Sequence, residues 1–222
     1  MALSLLDDLS HTHTTEAQTQ NQTQHNMLVK QRTLQGHNSA VVQVACCREK
    51  GSSMVASVSE DNTARLWDLR QKERCFALRC FVIDDPLITT TATAQGSATP
   101  TTTAANSVAF GVGSKFNNTL WVTSGQSLLC YDLRRPEIVV RESSKCFASI
   151  CKDEANQISF SSDGGRIAIA DDSGDVLLVQ PDTGSVLKRL TGQHTNICSS
   201  VKYHPRKPSE LVSCGLDGQV VV

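Results

Sequence analysis

Short apolar runs separated by turn residues make up the chain from residue 41 onward. Runs at 41–46, 54–57, 64–67, 107–110 and 120–123 are four to six residues long. Those at 128–131, 157–160, 166–170, 176–179 and 187–190 have the same size. Between them lie E-D-N-T, T-S-G-Q, S-D-G-G, D-D-S-G, P-D-T-G and L-D-G, which are turn chemistries that end strands. No window sustains an apolar stripe at i, i+3, i+4 and i+7 beyond two turns, so few helices are expected. The pattern predicts an antiparallel all-β fold: a barrel, a sandwich or a propeller.

Two segments fall outside that rhythm. Residues 10–26 hold fourteen Thr, Gln, Asn or His among seventeen, with Ala17 as the one apolar residue. Such a segment buries too little surface to offset its ordering entropy, so residues 1–26 read as a disordered polar tail. Residues 89–106 hold thirteen Thr or Ala among eighteen and read as a long loop insertion.

Internal repetition decides among the β architectures. One unit runs from Gly36-His37 through V-V-Q-V-A-C and M-V-A-S-V-S-E-D-N to T-A-R-L-W-D-L-R, ending at Arg70. Another runs from G-Q-His194 through I-C-S-S-V-K-Y and E-L-V-S-C-G-L-D-G to Q-V-V-V. His37 then matches His194, Ser57 matches Ser213 and Asp61 matches Asp217. From Asp172 to Asp217 is 45 residues, the length of one four-stranded propeller blade. On these residues the chain resembles the WD-repeat family over 27–222.

The resemblance implies a WD-repeat β-propeller in which His, Ser, Asp and Trp form a structural hydrogen-bonded tetrad. Here those residues are His37, Ser57, Asp61 and Trp67, with His194, Ser213 and Asp217 in the last unit. The middle units are degenerate: Tyr131 replaces Trp in one, and Val179-Gln180 replaces Trp-Asp in the other. Expected blades span 34–79, 80–145, 146–190 and 191–222. Four blades is fewer than the seven usual in the family, so the propeller is expected to be incomplete. Val222 falls one residue before the expected Trp, and residues 27–34 would be an outer strand, so a truncated chain is expected.

Composition narrows function. A net charge of −1 argues against an obligate nucleic-acid partner. No apolar stretch is long enough to span a membrane as a helix. M-A-L-S-L-L-D-D lacks the basic start of a secretory signal. Nine cysteines form no C-x-x-C pair and stand mostly among small or apolar residues, so they read as buried free thiols. That usage places the chain in the cytoplasm or nucleus. His37, Ser57 and Asp61 lack a G-x-S-x-G elbow, and no paired carboxylates, metal set or cofactor loop stands out, so neither enzyme activity nor a cofactor is expected.

The remaining signal is W-D-L-R at Trp67-Asp68-Leu69-Arg70, echoed by Y-D-L-R at Tyr131-Asp132-Leu133-Arg134. The resemblance implies that such endings dock a propeller on the adaptor of cullin-4 ubiquitin ligases. Trp67, Asp68, Arg70, Tyr131, Asp132 and Arg134 are the expected docking residues, and the substrate is unspecified. The other reading is a blade-edge ion pair or a general protein scaffold.

Overall fold

The computed structural model describes residues 33–71, 77–83 and 104–222. The polar tail, most of the strand expected at 27–34, Cys75 and most of the Thr/Ala-rich insertion lie outside the described residues. All strands of the described residues belong to the compact unit of residues 35–222.

Among the described residues, sixteen strands form four sheets, arranged as a four-blade β-propeller. Blade 1 holds β1 (Val41–Cys46), β2 (Met54–Ser59), β3 (Thr63–Asp68) and β4 (Arg79–Val82). Blade 2 holds β5 (Ala105–Phe110), β6 (Thr119–Ser124), β7 (Ser127–Asp132) and β9 (Lys145–Phe147). Between its last two strands the chain detours, and β8 (Val139–Val140) adds in parallel to β4 of blade 1. Blade 3 holds β10 (Ala155–Phe160), β11 (Ile167–Asp171), β12 (Val176–Val179) and β13 (Val186–Leu190). Blade 4 holds β14 (Cys198–Tyr203), β15 (Leu211–Gly215) and β16 (Val220–Val221).

Three expected boundaries move. The divisions at 79/80 and 145/146 cut through β4 and β9, which close onto their own sheets. The insertion ends earlier than 106, because Ala105 and Asn106 already lie in β5. Asn106 is a bulge residue, and its amide donates to Glu154 and to the Ala155 carbonyl of the next blade.

The inner strands β1, β5, β10 and β14 neighbour one another in that order. Each carries a β-bulge at the same place, between Val41 and Gln43, Ala105 and Ser107, Ala155 and Gln157, and Cys198 and Ser200. A bulge re-aims the residue that follows it. Here that residue reaches the next blade. Gln43 Oε1 accepts the Val108 N–H at 2.7 Å, Ser107 Oγ accepts the Ile158 N–H at 3.0 Å, and Gln157 Oε1 accepts the Val201 N–H at 3.1 Å. The hydroxyls of Ser107 and Ser200 donate back to Gln43 and Gln157.

Apolar cores fill the spaces between blades, because alternate residues of each strand face opposite neighbours. Ala56, Val58, Leu66 and Phe81 of blade 1 meet Val108, Leu120, Val122 and Tyr131 of blade 2. Trp121, Leu128 and Cys130 meet Ile158, Ile167, Ile169 and Leu177 across the next space. Ala168, Ala170 and Val176 meet Cys198, Val201 and Tyr203 across the third. Gly164, at φ 72°, lies so close to blade 2 that a Cβ would strike the Val112 carbonyl.

Candidate functional site

The first unit brings His37, Ser57, Asp61 and Trp67 together within one blade. Trp67 Nε1 donates to Ser57 Oγ at 2.9 Å, and Ser57 Oγ lies 2.7 Å from His37 Nε2. His37 Nδ1 lies 3.1 Å from Asp61 Oδ2. A carboxylate only accepts, so Nδ1 carries the proton, Nε2 accepts from Ser57, and the whole chain is satisfied. Ser57 is buried and its oxygen already takes the indole N–H, which leaves no exposed nucleophile. Blade 4 repeats the arrangement, with His194 Nε2 2.9 Å from Ser213 Oγ and Nδ1 3.1 Å from Asp217.

Burial alone would raise the Asp61 carboxyl. The Thr63 hydroxyl, the Asn38 N–H and His37 more than offset that and hold it at about 2, against an ordinary 3.8. A depressed carboxyl stabilises the fold above its unfolded value and loses that contribution as pH falls through the folded value. The melting temperature is therefore expected to fall between pH 4 and 2. Asp61→Asn should melt lower than the native chain at pH 7, with the gap shrinking towards pH 2. A gap of constant size in thermal scans across that range would contradict the assignment.

In blade 3 the phase of the repeat differs from the one read in sequence. Ala170 pairs with Val176 as Val58 pairs with Ala64, so Ser173, not Asp172, occupies the place of Asp61. Asp172 instead accepts from the Asn156 amide at 2.7 Å. A buried charge cluster occupies this blade, and sequence reading treated its acids as turn residues. Asp171 Oδ1 accepts from the Ser173 N–H and hydroxyl and from the Asp175 N–H. Arg189 Nη1 lies 3.6 Å from both Asp171 and Asp175, and Lys152 Nζ lies 2.8 Å from Asp175. Bunched acids in D-D-S-G-D with a basic residue on the next strand were the available signal.

The two Asp-x-Arg segments form matching forks. Arg70 Nε donates to Asp68 Oδ1 at 3.0 Å and Nη2 donates to Oδ2 at 2.8 Å. Arg134 makes the same pair of bonds to Asp132, at 2.9 and 2.6 Å. The side chains of Arg70 and Arg134 stay 71% and 73% exposed, while Asp68 is nearly covered. Hydrogen bonding and attraction from the carboxylates raise both guanidinium groups further, and the Arg134 hydrogen bond lowers Asp132.

Register places both forks on one rim. Met54 pairs with Asp68 and accepts from the Cys47 N–H, so Asp68 stands where β1 ends. Thr119 pairs with Asp132 and accepts from the Gly111 N–H, so Asp132 stands where β5 ends. The Arg79 guanidinium of blade 1 donates to the Leu133 carbonyl between Asp132 and Arg134, tying the second fork to the first blade.

The aromatic residues grouped with these forks need correction. Trp67 is buried in its hydrogen-bonded chain. Tyr131 is buried against Phe81, with its hydroxyl donating to the Val82 carbonyl at 3.1 Å. A rim partner cannot touch either ring, so they support the forks from beneath.

The same end of the inner strands opens into a cavity of about 200 Å³, lined by Val44, Arg48, Val108, Phe160 and Lys202 among others. Burial, then the neighbouring Arg48, lowers Lys202. Cavities that hold drug-sized ligands start at roughly 300 Å³. Among the described residues, no group of three or more His, Cys, Asp or Glu could hold a metal ion. Among the described residues, no helix is long and apolar enough to cross a membrane.

Cysteine burial also departs from expectation. Of the eight described cysteines, Cys130, Cys151 and Cys198 are buried, whereas Cys46 and Cys146 are exposed. Burial pushes Cys130 and Cys151 up to about 12 and Cys198 up to about 11. Cys46 stands in β1 at the position that the buried Phe110, Phe160 and Tyr203 occupy in the other blades, and Cys146 lies on β9.

Comparison with known proteins agrees with this architecture. The family model "WD domain, G-beta repeat" matches residues 28–68, the stretch that contains the His37–Ser57–Asp61–Trp67 chain. Residues 28–68 form a WD repeat. The chain is similar to the WD repeat-containing protein 53 homolog of Dictyostelium discoideum, at 24% identity over 186 residues. That match covers 84% of this chain and 44% of the relative. The degenerate units of blades 2 and 3 lie outside the family match. There apolar contacts and the Asp171–Arg189 cluster replace the His-centred bonds.

Proposed function

We propose that the chain is a protein-interaction scaffold that binds its partner through the rim carrying the Asp68–Arg70 and Asp132–Arg134 forks. The observation that supports this reading is the duplicate fork on adjacent blades, with both arginines pointing into solvent. An isolated exposed ion pair contributes about 0–1 kcal/mol to stability, so two matching copies are poorly explained by folding needs. A guanidinium steadied by its own carboxylate presents fixed donors to carbonyls or acids of a partner.

The finer reading is a substrate-receptor subunit that docks on the adaptor of cullin-4 ubiquitin ligases, in the cytoplasm or nucleus. In this reading the chain has no catalytic role and no cofactor, and it binds neither nucleic acid nor membrane. The W-D-L-R and Y-D-L-R segments support it by their likeness to docking motifs of WD-repeat proteins. The second reading is a general WD-repeat scaffold with no part in ubiquitin transfer. Pull-down of the adaptor separates the two. Arg70→Ala and Arg134→Ala should each weaken capture by about 2 kcal/mol, near thirtyfold in Kd, with circular dichroism and melting unchanged. Undiminished capture by the double variant would remove the forks from the docking surface. No capture by the native chain would leave the general scaffold.

A further inference from the structure

The two forks occupy equivalent places in blades 1 and 2, but their surroundings differ at one residue. Leu66 of β3 corresponds to Cys130 of β7, since each stands two residues before its fork aspartate. The Leu66 carbonyl accepts the Leu78 N–H, and the Cys130 carbonyl accepts the Ser144 N–H. Ser144 therefore stands where blade 1 has Leu78. Leu78 is half-buried against the apolar core, whereas Ser144 is exposed. Blade 1 builds its fork beside a leucine, so fork geometry does not require the hydroxyl.

That hydroxyl touches the fork itself. Ser144 Oγ accepts the Asp132 N–H at 3.1 Å, and the Asp132 carboxylate holds Arg134 through two hydrogen bonds. Arg135 lies close enough to attract the same carboxylate, and its Nη1 is 3.8 Å from Glu142. Arg141 precedes the serine by three residues, on an irregular stretch that leads into β9. Arg141, Glu142 and Ser144 are all exposed. An exposed hydroxyl on an irregular segment, with a guanidinium shortly before it, suits a protein kinase whose substrate groove is acidic.

We propose that Ser144 is a phosphorylation site whose phosphate draws Arg134 away from Asp132 and closes the second fork to a docking partner, an effect that rests on the fork rim being the partner surface. The step moves the terminal phosphoryl group of ATP. Its bond to the bridging oxygen breaks, a bond to Ser144 Oγ forms, ADP leaves, and the hydroxyl proton passes to the kinase. The product carries about 1.5 to 2 negative charges and three strong acceptor oxygens, more than a carboxylate offers. A guanidinium pairs bidentately with either group, so a phosphate beside Asp132 takes over Arg134, with Arg135 in reach. The donors that a partner's acid or carbonyl needs are then occupied, and added negative charge faces it. Blade 1 has Leu78 at the equivalent place, so the first fork escapes this control.

The test uses the full 222-residue chain, ATP and a purified serine kinase that selects arginine three residues before its target. Tandem mass spectrometry should place a phosphate on Ser144, and Arg141→Ala should slow its incorporation about tenfold. In phosphorus NMR the second ionisation of that phosphate should fall below its ordinary value of about 6, and Arg134→Ala should move it back up. The phosphorylated chain should capture the cullin-4 adaptor about tenfold more weakly than the unmodified chain. Ser144→Ala treated with the same kinase should capture it as the unmodified chain does. No phosphate on Ser144 overturns the proposal, and so does a phosphate whose titration ignores Arg134→Ala. Full capture by the phosphorylated chain overturns the control of docking. An unmodified chain that captures no adaptor would instead fell the docking reading, and the phosphorus titration would still decide whether the phosphate takes Arg134.

Discussion

Asp171→Ala should lower the unfolding free energy by about 3–5 kcal/mol, the range for breaking one side of a buried ion pair. The Asp171 side chain is wholly buried. Its Oδ1 gathers the Ser173 N–H, the Ser173 hydroxyl at 2.5 Å and the Asp175 N–H. Its Oδ2 makes no hydrogen bond, which leaves Arg189 at 3.6 Å as the neighbour that balances its charge. Alanine orphans three donors and leaves Arg189 with Asp175 alone. Asp171→Asn keeps one acceptor for those donors and removes only the charge, so it should cost less. Urea denaturation followed by circular dichroism measures both. A loss under 1 kcal/mol for the alanine variant would show that water or Asp175 takes over, and that the cluster does not hold blade 3.

Trp121→Ala should cost about 3–5 kcal/mol, as expected for removing a large buried aromatic from a packed core. Trp121 stacks on Phe147 at 6.3 Å and meets Phe116 and Phe160 edge-on at 6.0 and 5.7 Å. Phe160 belongs to blade 3, so the indole spans a junction between blades. Its N–H donates to Thr119 Oγ1, whose hydroxyl in turn donates to the Phe116 carbonyl. Trp121→Phe keeps most of the ring contact and should retain more than half of the lost stability. Domains of this class are stable by roughly 5–15 kcal/mol, so the alanine variant should show a clearly lower denaturation midpoint. Equal midpoints for the alanine variant and the native chain would contradict the packing described.

Strand positions were legible where alternation and turn residues coincide. The runs expected at 54–57, 64–67 and 166–170 fall within a residue or two of Met54–Ser59, Thr63–Asp68 and Ile167–Asp171. The strands Arg79–Val82, Val139–Val140 and Lys145–Phe147 were missed because two to four residues carry no measurable period. The His37-centred bonds were legible because their members recur at matching intervals in two units. The Asp171–Arg189 cluster was not, because Asp, Ser and Gly in D-D-S-G-D are also what a hairpin turn requires.

The inter-blade contacts show where the division falls. Gln43 and Gln157 occupy the same place in V-V-Q-V and A-N-Q-I, yet that likeness has no meaning until a bulge turns each side chain towards the next blade. Likewise Asp68 with Arg70, and Asp132 with Arg134, read as two motifs 64 residues apart. Only the parallel course of β1 and β5 puts them on one rim. The order of short strands, their turns and the His–Ser–Asp–Trp chain were determined by the amino-acid sequence, because alternation, turn chemistry and hydrogen-bond inventory act over a few residues or repeat at a fixed period. Which faces are covered, which acids are buried and which arginines share a rim were decided by tertiary structure, because each depends on how neighbouring blades stack.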